Sequence, residues 1–338
     1  MSKACECWFL DVGQGSSNVI MLEGNRAVVI DCGPRGSRET VTLLKEKHVQ
    51  TIECLAITHN HEDHDGNVAQ VLCAYSGAVR SICFLNDGNR NLRTLAMLNS
   101  DSRNERWPPA RRLETEGSRP AIIYEDTSFE LSAIHPSMQD NLNALQANQT
   151  SAVLLLKAWR FRLLFSGDVT LSGWMQIASR LKSPPLKCDF MTVPHHGGNI
   201  NGGVDERASH DTLYRHIVNT QHAIISVGTS NAHGHPTMDA LVALRDNHVN
   251  VMCTQMTANC CSDLERVRDV ARVIQQPARS TRHADYTSSA RKSKNVACFG
   301  TIAVELNAHT YTIEPDPDSI PICFAGTSGL VALCRQGD

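Results

Sequence analysis

The sequence predicts an α/β protein, and three observations carry that reading. Short β-rich runs alternate with segments of helical spacing along most of the 338 residues, glycine-containing turns separate them, and one apolar run ends abruptly in a cluster of histidines and aspartates. Such alternation favours a layered fold with chemistry at the C-terminal ends of strands.

The first runs, 8–12, 17–22 and 26–30, read as consecutive antiparallel strands joined by Gly13-Gln14-Gly15 and Glu23-Gly24-Asn25. After Asp31-Cys32-Gly33-Pro34, residues 37–47 show helical spacing and 52–58 form a buried apolar strand. A helix at 67–75 and a strand at 81–85 follow, and then a polar, arginine-rich stretch of mixed helix and loop at 86–118. β-type runs return from Ala121 through 129–134, 152–157 and 162–165, the last entering Ser166-Gly167-Asp168. Helices at 172–181, 209–218 and 237–247 then alternate with strands at 189–193, 224–227 and 250–253, with a glycine-rich loop at 197–203 and a late strand at 300–306. Residues 277–295 are rich in Ser, Arg and Lys, which predicts an exposed loop or a flexible insertion. With no linker composition elsewhere, the expected organisation is a catalytic domain over 1–255 and a C-terminal elaboration of it over 256–338.

An apolar fraction of 41% is enough for a substantial core, and a formal charge of −3 argues against the broad basic surface of a protein that coats nucleic acid. The sequence shows no apolar run suited to a signal peptide or a membrane span, so a soluble, cytoplasmic protein without stable membrane association is expected. In that setting the 13 cysteines read as reduced thiols; Cys253, Cys260, Cys261, Cys298, Cys323 and Cys334 match no common zinc-ligand spacing.

The chemistry concentrates in Thr58-His59-Asn60-His61-Glu62-Asp63-His64, directly after an apolar strand and just before a helix. Two histidines at i and i+2 point the same way from an extended turn, while Asp63 and His64 at the start of the helix can face a second ion. Imidazole nitrogen with carboxylate oxygen suits Zn²⁺ and tolerates Mn²⁺ or Fe. A lone histidine in a polar loop would carry no such message, but a run of four ligands behind a buried strand does.

The His-x-His-x-Asp-His pattern resembles the signature of the metallo-β-lactamase superfamily. Leu10-Asp11-Val12-Gly13-Gln14-Gly15, Val29-Ile30-Asp31-Cys32-Gly33, Leu164-Phe165-Ser166-Gly167-Asp168, Val193-Pro194-His195-His196-Gly197-Gly198, Ser226-Val227-Gly228 and Gly234-His235-Pro236 follow in the order that is similar to the hydrolase domain of bacterial DNA-uptake (competence) proteins. The resemblance covers about residues 5–255 and continues weakly through 298–306. It implies a four-layer αβ/βα sandwich with the site in strand-end loops, and two divalent metal ions, Zn or Mn. Carried over by position, it implies that His59 and His61 hold one metal, that Asp63, His64 and His235 hold the other, and that Asp168 bridges them. The third histidine of the first metal is missing. Asn148, in Asn148-Gln149-Thr150-Ser151, is expected near that metal, with His135 as the alternative, and an Asn there would weaken the first site or favour a harder ion.

His195 and His196 are expected to meet the metals from the opposite wall, one of them donating a proton or binding an oxyanion; the alternative is that they fix the loop through backbone hydrogen bonds. Asp11 and Asp31 read as carboxylates that support ligands or loops. With Asp63, Asp168, His195 and His196 as the catalytic set, the expected reaction is phosphodiester hydrolysis by a hydroxide between two metals, on DNA or RNA. Arg90, Arg93, Arg103, Arg106, Arg111 and Arg112, with Trp107 among them, read equally as a cationic wall with one stacking group or as a solvated helix face. The alternatives are a small-molecule phosphodiesterase acting on a cyclic nucleotide or a phosphorylcholine-like ester, a lactonase or thioesterase, and a non-catalytic metal-binding scaffold.

Overall fold

A computed structural model describes residues 5–84, 107–127, 129–144, 146–181, 184–259, 284–291 and 295–316. Two sheets face each other. The first has the order β15-β14-β1-β2-β3-β4-β5-β6 and the second β13-β12-β11-β10-β9-β8-β7. The first sheet comprises β1 (Cys5–Phe9), β2 (Asn18–Leu22), β3 (Arg26–Ile30), β4 (Thr51–Ile57), β5 (Ile82–Phe84), β6 (Ala110–Arg112), β14 (Ile302–Leu306) and β15 (Tyr311–Glu314). The second comprises β7 (Ala121–Glu125), β8 (Phe129–His135), β9 (Val153–Ala158), β10 (Phe161–Phe165), β11 (Leu186–Thr192), β12 (Val218–Ile225) and β13 (Asn250–Cys253).

The layering follows from the period of two along each strand. In β3, Val28 and Ile30 point between the sheets while Ala27 and Val29 point outward; in β9, Leu154 and Leu156 point inward while Val153 and Leu155 point outward. The inward set meets Phe9, Ile20, Phe165 and Phe190 in a central core, where the rings of Phe9 and Phe165 stack at 5.8 Å across the sheet interface. The outward sets each need a cover. On the first sheet it is Leu43 and Leu44 of helix Glu39–Glu46 with Val68, Val71 and Leu72 of helix Val68–Ala74. On the second it is Trp174 and Ile177 of helix Leu171–Arg180, Leu241 and Leu244 of helix Met238–Asp246, and Leu213. The result is the four-layer αβ/βα sandwich.

Parallel pairing of β3, β4, β5 and β6, and of β10, β11, β12 and β13, aligns strand C-termini along one edge of each sheet. That edge carries Thr58 after β4, Ser166 after β10, Val193 after β11 and Ser226 after β12.

Several boundaries differ from the sequence reading for physical reasons. β1 begins at Cys5 rather than at Trp8, and Leu10–Val12 leave the sheet because the Asp11 amide and carbonyl bond to Thr301 Oγ1 and the Ser288 amide. The strand expected at 224–227 is the end of the eight-residue β12, whose polar first half alternates buried and exposed residues. The helix expected at 209–218 is an α-helix over Glu206–Thr212 that continues as a π-helical turn over Leu213–Ile217. In the stretch expected to be an exposed insertion at 277–295, Tyr286, Thr287, Ser288 and Ser289 are buried; 277–283 and 292–294 lie outside the described residues. Trp107 is buried in the outer core of the first sheet, so it offers no stacking face. Arg90, Arg93, Arg103 and Arg106, and Cys260, Cys261, Cys323 and Cys334, lie outside the described residues. Cys253 is buried and Cys298 half-buried, and neither forms a disulfide among the described residues.

Candidate metal centre

The site starts with how β4 ends. Asp31, at a left-handed φ of 59° one residue past β3, turns its carboxylate under the next strand. There Oδ1 accepts the Thr58 amide at 2.8 Å, both oxygens accept Thr58 Oγ1, and Oδ2 accepts His64 Nδ1–H at 2.7 Å. One carboxylate thus fixes the backbone where β4 stops and the tautomer of a histidine six residues later. The Nε2 lone pair of His64 is left facing the site.

The other imidazoles are held in the same way. His59 Nδ1 lies 3.1 Å from Thr58 Oγ1 and 3.2 Å from Ser151 Oγ; His196 Nδ1–H donates to Ser226 O at 2.8 Å, and His195 Nδ1–H donates to Asn199 O at 2.8 Å. Each Nδ1 faces an outer partner, so each Nε2 turns inward. The Nδ1 atoms of His195 and His196 thus fix the loop, while their Nε2 atoms face Asp168. Both residues have φ of 53°, a left-handed conformation that is costly outside glycine and common at functional sites.

Asp168 follows β10 in a turn held by its amide's bond to Ser151 Oγ at 2.9 Å. A side chain on Gly167 would meet Ser151 Oγ at 2.3 Å, so only glycine admits this close approach. The Asp168 carboxylate is the centre of the cluster. His59 Nε2 lies 3.4 Å from Oδ2, His64 Nε2 3.1 Å and His196 Nε2 3.7 Å from Oδ1, and His195 Nε2 4.0 Å from Oδ2. His196 Nε2 is also 3.3 Å from Asp63 Oδ2 and 3.1 Å from His64 Nε2. Two groups with ligand atoms within 4.8 Å of one another result, His59–His61–Asp168 and Asp63–His64–Asp168–His196, with Asp168 common to both.

Electrostatics match that packing. Burial alone would raise the Asp63 and Asp168 carboxyls, but His64 and His196 beside both, and His59 beside Asp168, hold them well below the usual range. Burial would lower His64 and His196, but Asp168 leads the neighbouring carboxylates that raise both. His61 and His235 go the other way, each lowered to about 4, chiefly by burial and next by a neighbouring histidine.

The donor set fits divalent cations. His59 Nε2 and Asp168 Oδ1 are buried without a hydrogen-bond partner, and imidazole lone pairs converge on two carboxylates. His235 stands outside both groups. Its ring is 5.0 Å from that of His195 and 6.5 Å from that of His196, its Nδ1 is buried without a partner, and its loop is clamped by Asn231. The Asn231 side chain accepts the His235 amide at 2.8 Å and donates to Gly228 O and His235 O. Asn148 Oδ1 is likewise buried without a partner, in the turn Ala147–Thr150 that leads to Ser151. His135 is occupied elsewhere: Nε2–H donates to Gln149 O at 2.9 Å and Nδ1 lies 3.2 Å from Arg180, so of the two alternatives Asn148 alone keeps a free ligand atom.

Residues 11–80 match the family model of the metallo-beta-lactamase superfamily. Over those residues, and in its layered fold, the chain resembles the metallo-β-lactamase superfamily. It is similar to competence protein ComA of Neisseria gonorrhoeae, 23% identical over 249 residues, which are 73% of this chain and 30% of that protein. It is similar also to ComE operon protein 3 of Bacillus subtilis, 22% identical over 278 residues, 75% of this chain and 32% of that protein. The chain thus spans about a third of the length of these relatives. The metallo-beta-lactamase fold protein YhfI of Bacillus subtilis aligns with a TM-score of 0.46 at 9% identity, covering 74% of this chain and 96% of that one. Among the described residues no helix is long and apolar enough to cross a membrane.

The sequence reading missed how much of the site is backbone support. Ser226 and Asn199 hold histidines through backbone carbonyls, which no residue type announces, while Ser151 and Asn231 act through side chains too common in loops to stand out. His196 sits where position-by-position transfer had put His235, beside Asp63 and His64. The adjacent histidines were a signal for that wall of the site, but which of them reaches the carboxylates depends on the turn.

Proposed function

We propose that this chain is a metal-dependent phosphodiester hydrolase that acts on DNA or RNA. The observation that carries the reading is the pair of ligand groups sharing Asp168. His59, His61 and Asp168, with Asn148, would hold one ion, Zn or Mn; Asp63, His64, Asp168 and His196 would hold the second, with His235 as a further ligand. Two such ions supply an activated water and Lewis acidity toward phosphoryl oxygens. The chain's own residues do the rest. Asp31 keeps the His64 lone pair inward, Ser226 does so for His196, and Asp168 presents one oxygen to each group. His195, partly exposed with its Nε2 turned toward Asp168, is the group placed to hold or donate a proton at the leaving oxygen.

Arg112 of β6 lies two strands from the end of β4. It is exposed and in register with Phe84, which is in register with Ile57, the residue before Thr58. Two strand spacings, roughly 10 Å, therefore separate the Arg112 backbone from the end of β4, and its exposed guanidinium is paired with Glu114 at 3.6 Å. The similarity to competence proteins over about three quarters of the chain points toward nucleic acid.

The test is cleavage of bis-p-nitrophenyl phosphate, single-stranded DNA, RNA and a lactone panel by protein loaded with Zn²⁺ or Mn²⁺, beside Asp168→Ala. Phosphodiester cleavage should fall by more than about 100-fold in the variant, beyond the loss typical of an outer-shell partner. Cleavage of lactones alone would overturn the substrate class, and wild-type protein that retains no metal and cleaves nothing would overturn the enzyme.

A further inference from the structure

Beneath the metal centre lies a second buried polar cluster, drawn from four distant stretches of chain. Asp11 is fully buried. Its Oδ1 accepts Gln255 Nε2–H at 2.6 Å and the Gly13 amide at 3.2 Å; its Oδ2 accepts the Ser289 amide at 3.0 Å and the Ser289 hydroxyl. The Asp11 carbonyl accepts the Ser288 amide, and the Asp11 amide donates to Thr301 Oγ1. Gln255 passes the connection on. Its Oε1 accepts the Thr229 amide at 2.8 Å and Thr229 Oγ1 at 3.1 Å, at the root of the loop that Asn231 closes around His235.

The loop that Asp11 anchors touches both walls of the site. Ser16 N donates to Asp63 O at 3.0 Å, and a side chain on Gly15 would come within 2.4 Å of that oxygen. From the other sheet, Ser226 Oγ donates to Gly15 O at 2.6 Å while Ser226 O accepts His196 Nδ1–H, and Gly228 N reaches Gln14 Oε1 at 3.4 Å. One loop therefore stands under Asp63 from the first sheet and His196 from the second.

We propose that Asp11, Gln255 and Ser289 are positioning residues, a buried brace through which Ser288, Ser289 and Thr301 hold the Asp63 wall and the His196–His235 wall of the site in register. The inference rests on the metal-binding reading above. A buried carboxylate with this many donors is stable only while all are present, so loss of one donor loosens the loop it anchors. Ser288, Ser289 and Thr301, far along the sequence from the histidine cluster, are then part of what holds the site.

The test compares Gln255→Leu and Ser289→Ala with wild type and with Phe161→Leu, a core change at the opposite end of the strand that leads to Asp168. Amide hydrogen exchange is followed over 13–17 and 226–235 in metal-free protein, and metal retention is followed by chelator competition. The expected result is faster exchange in both segments and about tenfold weaker retention at the Asp63–His64–Asp168–His196 group, with the His59–His61 group within about threefold of wild type. Phe161→Leu, at a matched loss of Tm, should show neither effect. Unchanged exchange in the brace variants, or losses that track Tm equally in all three, would overturn the brace. Wild-type protein without metal would overturn the metal reading instead, and the exchange experiment would still decide whether the brace holds the loops.

Discussion

Replacing Asp31 by Asn keeps the shape of a side chain that tolerates its left-handed backbone and removes one buried charge. The carboxylate accepts everything around it: the Thr58 amide, the Thr58 hydroxyl and His64 Nδ1–H at 2.7 Å. An amide cannot do so. If its oxygen stays on the Thr58 amide, its NH₂ faces His64, whose Nδ1 must become an acceptor and whose Nε2 then carries the proton inward, where it cannot bind metal. If it flips, the NH₂ opposes the Thr58 N–H. Either way a hydrogen bond to a charged group is lost, about 1.5–3 kcal/mol, which corresponds to roughly 10–150-fold in affinity. Competition with a chromophoric chelator should show a loss of this size for the ion held by Asp63, His64, Asp168 and His196, with hydrolytic activity falling in parallel. Wild-type affinity in Asp31→Asn would refute the argument that the outer carboxylate sets the His64 tautomer.

Gly15→Ala places a methyl group 2.4 Å from Asp63 O at a φ of 138°, so metal retention should drop even where the protein folds; circular dichroism and metal analysis of the purified variant check both halves. Glu206 accepts the amides of Ile200, Asn201 and Gly203, and Glu206→Ala should lower Tm by several degrees and speed exchange of those amides, with metal content close to wild type. His210 and His222 are lowered from their ordinary value, chiefly by burial. The unfolded chain therefore binds the extra protons, so the stability is present above about pH 6.5 and is lost as pH falls. The urea midpoint should drop between pH 7.5 and 5.5, and less so in His222→Phe, which keeps the stack on Phe190.

The fold was largely legible because strand alternation and helical spacing are local. Val28, Ile30, Leu154 and Leu156 announce an inward face through a two-residue period that needs no knowledge of the rest of the chain. The His59–His64 cluster was legible for the same reason: its imidazoles and carboxylate lie within one short stretch of backbone, so their convergence is fixed by strand end and helix start. Boundaries were less so. The polar first half of β12 looks like the end of a helix until a parallel neighbour supplies its hydrogen bonds.

What the sequence by itself determined, then, is the layered α/β architecture and the local cluster of histidines and aspartates, because both follow from side-chain period and short-range geometry. Tertiary structure decided what depends on contacts between distant segments. It buried Trp107, turned His196 rather than His235 toward Asp63, and occupied His135 with Gln149 and Arg180. It also joined Asp11 to Gln255 and Ser289, 244 and 278 residues away, and a carboxylate buried by the whole fold takes partners that no local pattern can name.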